Sequence, residues 1–396
     1  MSGTLARTKF PLPMPKRFSS LTAEQRDVLA RLTHKLREEI RNSGGNAGAL
    51  ADFFSEELRT PYPPPRGGKF TFIDLFAGIG GFRLALQSLG GCCVFSSEWD
   101  AAAQETYFRN FGEVPFGDIT TEAVKERIPA QFDVLCAGFP CQAFSIAGRR
   151  GGFEDTRGTL FFDVAEILKR RRPRAFFLEN VKGLLIHDRG NTIRTILRVL
   201  REELGYFVPE PQIVNARDFG VPQNRERVYI VGFRADTRID HFDYPTPLPK
   251  KKRTTFADIR ERDTVPAKYY LSARYLETLR RHRAQHEEKG HGFGFEIIPD
   301  DGIANAIAVG GMGRERNLVR DVPLPPDAPK TSAGNARNSE GIRTMTPREW
   351  ARLQGFPDKF RIVVPDAAAY RQFGNSVAVP AIRATARQIL KSLGIL

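Results

Sequence analysis

The chain has 396 residues, 41% of them hydrophobic with 30 phenylalanines, and a formal net charge of +14. The apolar content is enough for a real core, and the length sets an expectation of two or three domains. The excess of positive charge points to a polyanionic partner, most simply nucleic acid, although a merely soluble basic protein has the same balance. No stretch approaches the ~18 apolar residues of a membrane span, and no apolar signal region opens the chain, so the expected location is the cytoplasm. The four cysteines, Cys92, Cys93, Cys136 and Cys141, show no C-x-x-C spacing. Neither a zinc site nor a disulfide framework is expected, and no metal site of another kind is read.

In chain order, residues 1–69 read as an appendage. Leu29, Leu32, Leu36 and Ile40 recur at helical spacing, and Thr22 with Gln25 can form a capping box. "PYPPPRGG" from Pro61 reads as a stiff linker. From Phe70 strands and helices alternate: "FTFIDLF" a buried strand, then a helix over Phe82–Ser88, "CCVFSS" a strand and "AAAQETYFRNF" a helix. "DVLCAG" is the next strand, "FFDVAEILKR" a helix and "RAFFLENV" a strand. Ile193, Ile196, Leu197, Leu200 and Leu204 mark an amphipathic helix stopped by Gly205. "RVYIVGF" from Arg227 reads as the last clear strand. Alternation with wholly apolar strands predicts an α/β, Rossmann-like, doubly wound parallel sheet over residues 70–233. Residues 234–342 break the alternation and are rich in charge, Pro and Gly, too long for a loop, and so predict a second, smaller domain. Residues 343–396 close the chain, helical from Val379.

"DLFAGIGG" follows a strand and opens a helix, and Gly78, Gly80 and Gly81 let the backbone turn sharply and approach a ligand. Glu98 ends the second strand about 20 residues on, where a carboxylate accepts from ribose hydroxyls. Trp99 can stack on an adenine ring, and Asp118 can accept from its amino group. Arg83 stands where the nicotinamide-cofactor fingerprint needs glycine, and no G-K-[ST] follows. A nucleoside without a pyrophosphate fits, which points to S-adenosyl-L-methionine; the same glycines serve equally as a structural turn. "GFPCQAFS" puts Cys141 just past a strand end, on the rim where such sheets bind ligands. There it reads either as a nucleophile or as a buried, inert thiol. Cys136 falls within the strand and reads as core.

These motifs occur in an order that resembles the DNA (cytosine-5)-methyltransferase family: "DLFAGIGGF", "EWD", "GDI", "GFPCQAFS", "RGTLFF", "LENV", "FGVPQNRERVYIVGF", "RTMTPREWARLQGFP" and "QFGNSVAVP". The resemblance covers residues 70–233 and 343–385 and is nearest to the bacterial restriction-modification type. It implies an S-adenosylmethionine-dependent methyltransferase domain with a smaller target recognition domain over 234–342. Trp350 stands where many members have cysteine.

The resemblance implies roles residue by residue. Cys141 adds to C6 of cytosine, so that C5 becomes a nucleophile toward the donor's methyl group. Glu179 binds N3 and the exocyclic amine, Arg227 holds O2, Arg225 joins it as a catalytic residue of the same Q-x-R-x-R element, and Gln223 supports the loop at the DNA. Phe76, Gly78, Gly80, Glu98, Trp99, Asp118 and Ile119 surround the donor. Pro140 and Leu160 line its pocket, and Asn375, Ser376 and Val377 close it. The target base must be flipped out of double-stranded DNA. Gln142, Ser145 and Arg149 then meet the DNA, and the basic, glycine-rich run Ser145–Gly158 reads as a loop closing over the base or as a phosphate-binding surface. Further implications are a monomer on DNA, no membrane, and a paired restriction endonuclease.

The run "KYYLSARYLETLRRHRAQHEEKGHGFGF" resembles recognition regions of members that modify CC-containing sites such as CCWGG or CCGG. Arg314 and Arg316 of "VGGMGRER" suit guanine edges, and Lys250, Lys251 and Lys252 suit the backbone. The alternatives are an RNA cytosine methyltransferase of the same family, disfavoured by the long basic insert; a non-catalytic binder; and a nicotinamide-dependent oxidoreductase.

Overall fold

The computed structural model describes residues 60–140 and 160–396 except 66, 289, 291–293, 311 and 312, together with residue 30. The expected Thr22–Ile40 helix and the calls on Cys141, Gln142, Ser145 and Arg149 lie outside the described residues.

Strand β1 (Phe70–Leu75) is buried at every residue but Thr71, as its apolar run requires of a strand covered on both faces. β2 (Gly91–Ser97) and β3 (Val134–Gly138) flank it in parallel, and β4 (Ala175–Val181) continues in parallel beyond β3. The connecting helices are Gly81–Gln87, Ala101–Phe111 and Leu160–Arg171. Local chemistry marks the second: Asp100 caps its N-terminus by accepting from the Ala103 N–H at 2.8 Å, and Gly112 ends it with φ 71°.

The expectation of a wholly parallel sheet is corrected at its far side. The Asn191–Arg198 helix, extended by a π-helical turn over Val199–Glu203, returns the chain to the amino edge of the sheet. Strands β5 (Tyr206–Phe207) and β6 (Gln212–Asn215) then climb back to the carboxyl edge. After β7 (Gln223–Asn224), β8 (Glu226–Arg234) descends antiparallel to β4, β5 and β6. The order is β2-β1-β3-β4-β8-β5, with β6 also on β8. Apolar periodicity carries no strand direction, so "RVYIVGF" reads identically either way.

Alternate side chains of the strands feed two cores. Phe72, Cys136, Phe177 and Val231 face the helices Gly81–Gln87 and Ala101–Phe111 and the C-terminal helix Val379–Ser392. Ile73, Leu135, Phe176 and Ile230 face Leu160–Arg171 and Asn191–Arg198. The Pro-rich run does not run free: the Tyr62 N–H donates to Asn110 O at 2.9 Å, and Gln87 Nε2 donates to Pro63 O at 2.8 Å.

"RVYIVGF" is not the last strand. β9 (Ile297–Ile298), β11 (Leu318–Arg320) and β12 (Ile342–Thr344) form a small sheet, and β10 (Ala304–Asn305) pairs with β7. Pieces of two or three residues are too short for periodicity to reveal. Leu271, Leu276, Leu279, Phe295, Leu318 and Ile342 make a separate small core beside the Ala273–Glu288 helix. Phe256, Ile298 and Val319 instead join the larger cluster on the sheet face. Among the described residues no helix is long and apolar enough to cross a membrane.

The chain leaves the small sheet through a buried ion pair. Arg343 and Glu349, both with 0% exposure, bond through both arms at 2.8 and 2.9 Å, and Arg343 Nε meets Asp321 at 2.7 Å. Glu349 also closes a capping box with Thr346 at the start of the Pro347–Leu353 helix. Trp350, next in that helix, is buried with its ring centroid 4.8 Å from Tyr370. Removing one partner of such a pair strands a buried charge, so Glu349→Ala should cost about 3–5 kcal/mol in denaturant unfolding, and Arg343→Met with Glu349→Leu should recover most of it. A single-variant loss no larger than an ordinary surface change, within ~0.5 kcal/mol, would show that this pair does not hold the segment.

Candidate active site

In a doubly wound sheet the crevice opens beyond the carboxyl ends of the strands, where the strand order reverses. Here the reversal lies between β1 and β3, which feed β2 on one side and β4 on the other. The turn leaving β1 is tightly wound, with φ of 55° at Phe76, 54° at Gly78 and 87° at Gly80. Two of its glycines are needed for different reasons. A Cβ at Gly80 would lie 2.3 Å from the Phe111 ring, whereas one at Gly78 would meet nothing within 4 Å. Gly80 is required by packing; Gly78 is required by its backbone angle and leaves open space above the turn.

Glu98 is anchored to that turn. One carboxylate oxygen accepts from the Gly78 N–H and the other from the Asp100 N–H, each at 2.8 Å. Its backbone oxygen accepts from Gln104 Nε2 at 2.6 Å. Burial raises its pKa, against the pull of those two N–H groups. A carboxylate offers about four lone-pair sites, so two remain for hydroxyls of a ligand. Trp99, beside it, is 77% exposed and offers an open ring face. Asp118 is exposed, with Oδ1 accepting from the Thr120 N–H at 2.9 Å, while the Ile119 side chain is buried in the sheet core. Phe76 and Leu160 are half-buried, and Pro140 is exposed at the end of β3.

Arg83, the residue that departs from the dinucleotide fingerprint, turns away from the crevice. Its guanidinium meets Glu113 at 2.6 Å and Tyr107 Oη at 3.0 Å, and lies over the Phe111 ring at 4.7 Å. Beneath the turn lies Asp74, not singled out from the sequence although "DLFAGIGG" contains it. It is wholly buried, and burial, opposed by the Arg83 charge, pushes its pKa up to about 8.

A second cluster forms where β4 meets β8. Glu179 Oε1 lies 3.1 Å from Arg227 Nε, and a Cβ on Gly138 would sit 3.6 Å from Glu179 Oε2. The pair therefore stands beside the end of β3. Burial raises the Glu179 pKa, with Arg227 and then Arg225 opposing. Asn180, also not singled out from the sequence, donates from Nδ2 to Phe139 O at 2.9 Å and so fixes the residue before Pro140.

Two calls change here. Gln223 has no exposed surface: its Nε2 donates to Leu353 O at 2.9 Å, and its Oε1 accepts from the Ile307 N–H at 3.0 Å. A side chain so enclosed does not contact DNA. Arg225 is 3% exposed and donates to three carbonyl oxygens, Ile307 at 3.1 Å, Gly374 at 3.1 Å and Ser376 at 2.7 Å. It braces the site and does not point into it; burial first, then the Arg227 charge, brings its pKa down to about 9.

The C-terminal segment reaches the same crevice. A Cβ on Gly81 would lie 2.7 Å from Val377 Cγ2 and 3.0 Å from Ser376 Oγ. Asn375 is exposed, Ser376 half-buried and Val377 buried. Of the two arginines read for base edges, Arg314 lies over the Tyr370 ring at 5.4 Å and Arg316 is exposed. Lys250–Lys252 form a 3-10 turn at the surface.

The profile of the C-5 cytosine-specific DNA methylase family matches residues 70–391. The type II methyltransferase M.HpaII of Haemophilus parainfluenzae is 70% identical over 326 residues, 82% of this chain and 90% of its own. The type II methyltransferase M.SsoII of Shigella sonnei is 43% identical over 361 residues, 90% of this chain and 89% of its own. Among solved structures, the Dnmt2 methyltransferase of S. pombe superposes with a TM-score of 0.60 at 21% identity, covering 81% of this chain and 98% of that one, a likeness of fold.

Asp74 gives the site a pH signature. Its folded pKa of about 8 lies above the ~3.9 of an unfolded aspartate. Between these values the folded state holds the extra proton, so this group's contribution to stability falls as pH rises from about 4 to about 8, then levels. The stability of wild type relative to Asp74→Asn should decline over that window in urea unfolding measured from pH 5 to 9. Parallel curves would show that Asp74 titrates normally.

Proposed function

We infer that this chain, which belongs to the C-5 cytosine-specific DNA methylase family and is a DNA (cytosine-5) methyltransferase, takes its methyl group from S-adenosylmethionine and passes it to a cytosine flipped out of a short duplex site, with Cys141 as nucleophile. The observation that supports this most is the pairing of two half-sites at one strand reversal. The Glu98-anchored turn lies at the end of β1, and Glu179 with Arg227 lies beside Gly138 at the end of β3, two residues before Pro140 and three before Cys141 in the sequence.

The residues present fit the donor. The open space above Gly78 takes the bulk of a nucleoside, the spare lone pairs of Glu98 take ribose hydroxyls, and the exposed ring of Trp99 takes the adenine face. Bound there, S-adenosylmethionine supplies an electrophilic methyl group. The chain does the rest. The Cys141 thiolate adds to C6, which breaks the C5–C6 double bond and makes C5 nucleophilic. Glu179, with its pKa raised by burial, offers a proton to N3 as charge builds there, and Arg227 holds O2. Once C5 carries the methyl group, a base removes the C5 proton, the double bond re-forms, and the thiolate leaves. Neither the thiolate nor Glu179 is consumed.

In this reading residues 234–342 select the site, Arg316 faces the bases, and Lys250–Lys252 meet phosphates. A CC-containing site such as CCGG or CCWGG is the proposed target, acted on in the bacterial cytoplasm beside a paired restriction endonuclease. Methylation mapping of a plasmid carrying this gene tests it directly: 5-methylcytosine at one short site is expected, and an unmodified plasmid with modified tRNA would overturn it.

Two variants test the residue roles. Wild-type protein should form a covalent complex with duplex containing 5-fluorocytosine, because fluorine cannot leave as a proton does, and Cys141→Ser should not. Trapping of Cys141→Ser would remove Cys141 from the mechanism. Glu98→Ala should weaken binding of S-adenosylmethionine by about 1–3 kcal/mol, the cost of losing a charged hydrogen-bond partner. Unchanged affinity by calorimetry would withdraw the ribose assignment.

A further inference from the structure

We propose that Arg225 is a positioning residue that couples the segment facing DNA to the methyl-donor pocket, an inference that rests on the function proposed above. Its guanidinium is shared by two segments far apart in the chain. One arm donates to Ile307 O, and the other to Gly374 O and Ser376 O. The peptide of Ile307 is held on both sides, since its N–H donates to Gln223 Oε1 at 3.0 Å while its carbonyl accepts from Arg225. Two residues on, Val309 Cγ2 would lie 2.7 Å from a Cβ on Gly374, and the run "VGGMGRER" then leads to Arg314 and Arg316. On the other arm, Ser376 and Val377 lie against Gly81, the end of the donor turn.

Packed contacts and hydrogen bonds therefore run unbroken from residues 307–309, through one buried cation, to the backbone beneath the proposed donor. Gln354 reinforces the far end, its Nε2 donating to Phe373 O at 2.8 Å and Ser376 O at 3.2 Å. The Nε of Arg225 is buried without an acceptor, as is one terminal nitrogen of Arg83. Such an orphan is costly where it persists. A small shift of either segment that gives it a partner would be favoured, and the other segment, holding the same guanidinium, would feel that shift. Duplex seated on Val309 and on Arg314–Arg316 then firms the Ser376–Val377 wall, and donor bound at the wall firms the DNA-facing segment, by the same factor in each direction.

The test is a ratio. The dissociation constant of S-adenosylhomocysteine, used as the probe, is measured by calorimetry for the full chain alone and with saturating duplex carrying the mapped site. Wild type should bind the probe more tightly with site duplex, within the usual ~5–150-fold range of coupling. In Arg225→Lys, whose single ammonium cannot span both sets of carbonyls, the ratio should fall toward one. A residue that merely holds the fold would weaken both constants and leave their ratio unchanged, and an unchanged ratio overturns the proposal. Hydrogen exchange of wild type gives a readout independent of how the variant folds. Site duplex without the probe should slow exchange of the Ser376 and Val377 amides, and no change there overturns the coupling. Wild type that binds the probe and methylates DNA with a ratio of one defeats this inference alone. Wild type that binds neither probe nor duplex defeats the functional reading as well.

Discussion

Gly81 and Val377 meet with no room for a side chain on the glycine: a Cβ there would lie 2.7 Å from Val377 Cγ2. The first helix of the sheet and the end of the Asp366–Asn375 helix thus pack at near-backbone distance, although nearly the whole described chain lies between them. Everything in between must respect that closure. β8 has to leave the sheet, the small sheet and its helix have to be traversed, and the chain has to come back to the edge of β1. The return is pinned on both sides. The Val379 N–H donates to Gln354 O at 2.8 Å, and a Cβ on Gly355 would lie 2.3 Å from Pro380. The C-terminal helix then packs across the Gly81–Gln87 helix, burying Ile382, Ala386 and Ile389 in the same cluster as Phe72 and Phe177. The inserted segment is therefore anchored at its two ends.

The buried charges differ in how fully they are satisfied. Arg343 and Glu349, at the return anchor, pair through both arms and are further held by Asp321 and the capping box. Arg83 pairs with Glu113 and lies on two aromatic rings. Nearer the crevice, Glu179 keeps one contact to Arg227 and a raised pKa, and Arg225 rests on neutral carbonyls alone. A fully paired charge is inert, while a partly paired one can exchange its partner for a ligand.

The crevice was legible because its chemistry is written in local spacing. The glycines of "DLFAGIGG" and the carboxylate after β2 are short-range patterns, whereas Glu179 was reached through the resemblance carried by "LENV"; all fall at one edge of the sheet. What could not be read depends on long-range packing. Gln223 looks like a polar loop residue in "PQNRER", yet it is buried because Leu353 and Ile307 converge on it from far along the chain. Arg225 and Arg227 look equivalent in sequence, but only Arg227 faces Glu179. Strand alternation would put both on one side; Arg225 stands just before β8, and the carbonyls of Ile307, Gly374 and Ser376, from far along the chain, draw its guanidinium away from Glu179. Asp74 was hidden for the opposite reason: a carboxylate inside an apolar strand run gives no local sign that it will be covered on both sides.

The direction of β8 shows how much a feature invisible to periodicity can decide. Its nine residues span about 30 Å at ~3.3 Å each. Run parallel to β4, it would carry Arg227 to the amino edge of the sheet, a full strand length from Glu179. Run antiparallel, it pairs Val181 with Arg227 and Glu179 with Tyr229, so the arginine arrives at the carboxyl edge within ion-pair distance of the glutamate. The same descent keeps Arg225 at that edge, where the carbonyls of Ile307, Gly374 and Ser376 converge on it. The antiparallel return between β6 and β8, through residues 216–225, therefore sets the geometry of this edge: without it the glutamate, its arginine and the brace beneath them would occupy opposite ends of the same sheet.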